Sequence, residues 1–107
     1  MKRVPVFSDA ALRDLDEIFE FLGEQFGDLQ RARAFVSSVV AQIEKIATLP
    51  AVLGRPRERL APGLRSFPFR GYLIFMHYRE DSLFIVNILH ARRDIETYYL
   101  EDDDQSP

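Results

Sequence analysis

Two runs of helical period, separated only by Gly27-Asp28, constrain this chain more than any other feature. In the first, Ala11, Leu15, Ile18, Phe19, Leu22 and Phe26 recur at helical spacing, and Arg13, Asp14, Asp16, Glu17, Glu20 and Glu24 take the opposite face. In the second, Ala32, Phe35, Val36, Val39, Val40, Ile43, Ile46 and Ala47 do the same, and Pro50 ends the run. Ser8 is a good N-cap for the first helix, and Asp9 sits where the helix dipole favours an anion. Gly27 supplies a stop and Asp28 the next cap. Helices joined so tightly must fold back on each other as an αα-hairpin. Neither stripe lasts enough heptads for a coiled coil.

The rest of the chain reads as β structure. Residues 3–7 form a short strand, with Pro5 suited only to an edge or a strand start. A connector, 51–62, carries Gly54, Pro56 and Pro62. Strand signals follow at 64–69, 72–78 and 83–90. Residues 72–78 have almost no polar break and should be central, and the polar turn 79–82 makes the last two strands a hairpin. Residues 93–100 allow one final helical turn. The expected fold is α+β: an N-terminal strand, the αα-hairpin, then a three-stranded antiparallel sheet (β-α-α-β-β-β) and a short C-terminal helical turn. The hairpin should lie on one face of a mostly antiparallel four-stranded sheet. Residues 1–100 are expected as one domain and 101–107 as a disordered acidic tail.

The net charge of −3 conceals three blocks. Residues 1–54 carry six Lys/Arg against eight Asp/Glu; residues 55–93 carry eight arginines against three acids; residues 94–107 carry six acids and no base. Arginine suits bidentate contacts to carboxylate or phosphate. There is no cysteine, hence no disulfide, thiolate metal site or cysteine nucleophile. The N-terminal apolar stretch is too short for a secretory signal, and no apolar run approaches a membrane span of about 20 residues. A cytoplasmic location is expected. No glycine-rich phosphate loop or paired-histidine metalloprotease motif occurs. His77 and His90 on neighbouring strands could face each other as an acid–base pair, but ordinary strand histidines are the simpler reading. Two histidines alone make a poor zinc site, so neither metal nor cofactor is expected.

Five segments together resemble a known family. Ser8-x-x-Ala11-x-x-Asp14-Leu15-x-Glu17-Ile18 is similar to the opening of toxins of the ParE/RelE superfamily. Gly54-Arg55-Pro56 and Leu60-x-Pro62-Gly63-Leu64-Arg65 resemble their middle; Tyr72-Leu73-Ile74-Phe75 and Ile88-Leu89-His90-x-x-Arg93-Asp94 resemble their last strands and exit. The resemblance implies a type II toxin with a cognate antitoxin, held in a toxin–antitoxin hetero-oligomer. It also implies one of two targets. RelE-like members cleave ribosome-bound mRNA with several basic residues and often a C-terminal tyrosine. ParE-like members inhibit DNA gyrase without that set, and a ParD-like protein neutralises them. The segments around 62–65 and 88–90 look more like ParE. Leu73 stands after Gly71-Tyr72 where RelE-like enzymes often carry arginine, and their lysine pair is missing, leaving Arg65. Asn87 stands where ParE-like members commonly have arginine.

The ParE-like reading is therefore preferred: gyrase inhibition by direct binding, with nucleic acid met only indirectly and no catalytic residues. If the chain is instead a nuclease, the candidates are Arg65, Arg93 and Tyr98 or Tyr99, stabilising charge as a 2′-hydroxyl attacks its own phosphate. A third reading is a binding module whose toxicity has decayed. Charge favours a protein target, because residues 1–100 hold fourteen bases against thirteen acids, few for a ligand of polyanions. The antitoxin groove is expected from Leu15, Phe19, Leu22, Phe35, Val39 and Ile43 with Arg55, Arg57, Arg65 and Arg70. Target contacts are expected from His90, Arg92 and Arg93.

Overall fold

The computed structural model describes residues 2–104. Its elements are β1 (Val4–Phe7), α1 (Asp9–Phe26), α2 (Leu29–Thr48), β2 (Arg55–Pro56), β3 (Arg65–Phe69), β4 (Tyr72–Tyr78), β5 (Ser82–His90) and α3 (Ile95–Asp104). The helix boundaries follow their local signals. Ser8 Oγ accepts from Ala11 N at 2.9 Å. Gly27 adopts φ 62°, left-handed backbone that glycine takes without strain, and its N–H donates to Gly23 O. Asp28 Oδ1 accepts from Gln30 N and Arg31 N at 2.9 and 3.3 Å.

The sheet has five strands in the order β1-β5-β4-β3-β2, with β1 parallel to β5 and every other pair antiparallel. The expected four strands thus gain β2, from residues read as a connector. Its pairing, Arg55 with Ser66 and Pro56 with Arg65, is reinforced by Arg65, which donates to Leu53 O and Gly54 O at 2.9 and 2.7 Å. β4 lies between β3 and β5, as its unbroken apolar run required. Arg70 and Gly71, both at positive φ (50° and 87°), make the two-residue turn that twisted antiparallel strands favour, closed by the pair Phe69–Tyr72.

Both faces of the sheet are covered. On one, Ala11, Leu15 and Ile18 of α1 and Val39, Ile43, Ile46 and Ala47 of α2 meet Ile74, Met76, Leu83, Ile85 and Ile88. Each large side chain buried there contributes about 1.5–3 kcal/mol. On the other face, Leu64, Phe75 and Leu89 lie beneath Leu60, Ile95, Tyr98 and Tyr99. The second layer is possible because the C-terminal helical turn is longer than expected. Asp94 caps it, accepting from Thr97 N and Oγ1, and propagation then adds one bond per residue fixed. Residues 101–104, expected as tail, close this helix; 105–107 lie outside the described residues.

Candidate functional site

Where β1 ends, α1 takes over the open edge of β5. The last pair of the parallel ladder is Phe7–Ile85. Ser8 N then donates to Ile85 O at 2.9 Å, and Ser8 Oγ donates to Val86 O at 2.7 Å. Asp14, one and a half turns along α1, accepts from Ile88 N at 2.9 Å. The same carboxylate oxygen accepts from Asn87 Nδ2 at 3.0 Å. Asn87, almost fully buried, also donates to Tyr98 Oη at 3.0 Å and accepts from Tyr99 Oη at 2.8 Å. Its amide thereby ties α1, β5 and α3 together. Burial, then Tyr98 and Asp14, hold the Tyr99 phenol well above its ordinary pKa. A neutral amide here can satisfy both tyrosines because it donates and accepts; a guanidinium only donates.

Beside this network lies a pocket of about 240 Å³, lined by Asp14, Glu17, Ile18, Phe21, Tyr72, Ile88, Leu89, His90 and Arg93. Asp14, Glu17 and Phe21 fall on one flank of α1 by helical spacing. Phe21 stays 55% exposed, so it offers a partner apolar area that the fold does not use. Two expected target contacts, His90 and Arg93, line this pocket, and Arg92 lies exposed beside them. His90 Nδ1 accepts from Arg92 N at 3.1 Å, which sets the turn leaving β5. The His90 ring meets Tyr72 edge-on at 5.1 Å, and Tyr72 in turn meets Phe35 of α2 at 5.7 Å. Sequence reading missed Phe21 because it lies between the buried stripe and the polar face.

The hairpin residues expected to face an antitoxin divide. Leu15, Val39 and Ile43 are corrected to core: Leu15 is 9% exposed and the other two are at 0%. They sit at the centre of each apolar stripe, where the sheet consumes them. Phe19, Leu22 and Phe35 remain half-buried at the stripe edges. Leu12, two turns from Phe19 on the same flank of α1, is 50% exposed and was not foreseen. Arg70 reaches from the β3–β4 turn to Phe35 and Phe69, with its guanidinium 6.0 and 5.7 Å from their ring centroids.

The arginine block does not form one patch. Arg65 pairs across the ladder with Met76, on the helix-hairpin face, and is spent on the carbonyls of Leu53 and Gly54. Arg57 lies on the other face, its Nε donating to Ser66 Oγ at 2.8 Å and its guanidinium 5.9 Å from the Phe75 ring centroid. Arg55 is exposed on β2, and Arg70 lies at the far end of β3. The nuclease candidates are split in the same way. Arg93 stacks 4.6 Å over Tyr98, just beyond the end of β5 that pairs with Tyr72, whereas Arg65 pairs with Met76 toward the other end of β4. His77 pairs with Phe84, and His90 with Tyr72, at opposite ends of β4. The two histidines therefore do not face each other. Among the described residues, no group of three or more His, Asp or Glu could hold a metal, and no helix is long and apolar enough to cross a membrane.

A hairpin of helices on one face of a small mixed sheet, with a short helix on the other, is also the architecture of a solved structure described as the chromosomal ParDE toxin–antitoxin system from P. aeruginosa. The two superpose with a TM-score of 0.72 at 22% identity, covering 84% of this chain and 96% of that one. At that identity the match shows a common fold. The sequence carries the assignment further. Residues 6–95 match the family model of the ParE toxin of the type II toxin–antitoxin system, parDE. Toxin ParE3 of Caulobacter vibrioides (strain ATCC 19089 / CIP 103742 / CB 15) is 28% identical over 82 residues, which is 77% of this chain and 80% of that protein. The chain belongs to the ParE toxin family of type II toxin–antitoxin systems.

Proposed function

We propose that this toxin acts in the cytoplasm by binding DNA gyrase and arresting it on cleaved DNA, and that a ParD-like antitoxin neutralises it. Family membership supports the reading, and one structural observation carries it against the nuclease alternative. Arg65 pairs with Met76 and its guanidinium is engaged by the backbone carbonyls of Leu53 and Gly54, whereas Arg93 stacks on Tyr98 beyond His90, which pairs with Tyr72 at the other end of β4. A phosphoryl-transfer site needs its charged groups converging within hydrogen-bond reach of one phosphate. These three side chains do not converge.

The antitoxin surface is proposed on the hairpin, over Leu12, Phe19, Leu22 and Phe35, with Arg70 pairing an antitoxin carboxylate. A segment that orders on binding must recover its entropy from buried apolar contacts, and these side chains supply them. The pocket of Phe21, His90 and Arg93 is left for the target. The purified chain, added to gyrase and plasmid DNA, should accumulate cleaved complexes that the antitoxin relieves. Supercoiling unaffected by a molar excess of folded toxin would exclude gyrase as the target.

A further inference from the structure

The cleft between the segment 55–60 and the start of α3 belongs neither to the hairpin surface nor to the pocket at His90. It measures about 310 Å³, at the lower end of the range for ligand sites, about 300–1,000 Å³. Its walls include Arg55, Arg57 and Arg59 on one side and Ile95 and Glu96 on the other. Arg55 lies on β2, and Arg57 opens the turn that carries Arg59, closed by Leu60 N and Ala61 N donating to Arg57 O.

The acids nearby are already engaged. Glu58 accepts from Gly63 N at 3.0 Å, closing the 58–63 loop. Glu96 pairs with Arg59, both well exposed. Among residues 2–100, whose side chains are described, neither Arg55 nor Arg57 has a carboxylate within ion-pair distance. Arg57 is also the best-held of the three. Its Nε is fixed by Ser66 and its plane rests near the Phe75 ring, which leaves the outer nitrogens for a ligand. Burial, and then the charge of Arg55, push its pKa below the ordinary value; since arginine stays protonated in proteins, this is a cation short of compensation.

We infer that this cleft is a binding site for a backbone phosphate of nucleic acid, held by Arg55 and Arg57 with Arg59 at its rim. The Arg57 guanidinium, fixed by a hydroxyl and set near an aromatic ring, suits the geometry of phosphate oxygens. The cleft's polar walls offer little to an apolar antitoxin segment, and it opens on the sheet face opposite the hairpin. On gyrase the ligand would be a phosphate of the bound DNA, and that clause alone rests on the gyrase reading.

The test is a nuclear magnetic resonance titration of the full chain, following arginine Nε–H and backbone amide signals. The titrants are inorganic phosphate, a short DNA duplex, and sodium chloride at matched ionic strength. Phosphate and duplex should shift Arg57 Nε–H and the Ile95 and Glu96 amides saturably, and chloride should not. Arg55→Gln, an exposed position, should weaken duplex binding at least about fivefold and lower the salt slope by about 0.9, one phosphate contact. Arg57→Gln should do more, and Arg70→Gln should leave both unchanged. Binding of phosphate without the duplex identifies a free anion as the ligand and overturns the nucleic-acid assignment. Equal shifts with chloride overturn the site. Normal phosphate binding by Arg55→Gln, with a weakened antitoxin complex, assigns the cleft to antitoxin carboxylates instead.

Discussion

Asn87 and Asp14, 73 positions apart in sequence, share a hydrogen bond of 3.0 Å that locks α1 to the open edge of β5. Around it, one buried amide serves three partners, and one carboxylate oxygen completes the sheet edge through Ile88 N. The network joins both layers of the protein, and through Asp14 it reaches the wall of the pocket at His90. Asn87→Ala leaves Asp14 and both tyrosine hydroxyls short of a partner, at a cost of about 1–3 kcal/mol for a group left unsatisfied. For a domain of this size each kcal/mol lowers Tm by about 4–8 °C. A fall in Tm of about 10 °C is expected, with faster amide exchange in α3. A change within a degree or two would mean that the network contributes nothing to stability.

Tyr99 gives the network a pH signature. Its folded pKa is raised, first by burial, so the folded state holds a proton that the unfolded chain releases at its ordinary pKa of about 10. Stability from this group is complete below pH 10 and is lost as pH rises above it. Alkaline unfolding monitored by tyrosinate absorbance should show a late component coincident with loss of structure. Tyr99→Phe should remove that component; its persistence would assign it elsewhere.

Arg65 should behave as a structural residue. Arg65→Met removes two hydrogen bonds from a charged donor and should cost about 2 kcal/mol. Toxicity per folded molecule should be retained, measured as gyrase inhibition normalised to native circular dichroism. A stably folded but inactive variant would place Arg65 in a functional site.

The outcome at Arg65 shows where sequence reading stops. Caps and turns such as Ser8, Gly27 and Asp28 are legible because each acts on its own neighbours in the chain. The unbroken apolar run of β4 is legible because a central strand is buried on both faces. Leu15, Val39 and Ile43 were not separable from Phe19, Leu22 and Phe35: helical period identifies a stripe, but only the sheet beneath decides which part of it is consumed. β2 and the long α3 depend on partners distant in sequence, Arg65 and Ser66 for one, Phe75 and Asn87 for the other. The site was half legible for the same reason. His90 and Arg93 share a pocket because their positions near the end of β5 are local, whereas Phe21 joins them only through the packing of α1.

The antitoxin complex should be held chiefly by apolar contact. Complexes should survive about 1 M salt, where the Debye length is about 3 Å and ion pairs between exposed charges are screened. Arg70→Ala should weaken the complex without abolishing it, and Phe19→Asp should prevent assembly while the toxin stays folded. Clean dissociation in molar salt would contradict the hairpin surface.

The proposal that this toxin arrests gyrase by binding, and leaves mRNA intact, is open to one direct measurement. One preparation of antitoxin-free chain, confirmed as folded, should be divided between a gyrase supercoiling and cleavage assay and a ribosome toeprint on translating mRNA. Inhibited supercoiling, accumulated DNA breaks and an unchanged toeprint are expected. Codon-dependent mRNA cleavage with untouched gyrase would contradict the proposal, and would make Arg93 and Tyr98 the first residues to replace.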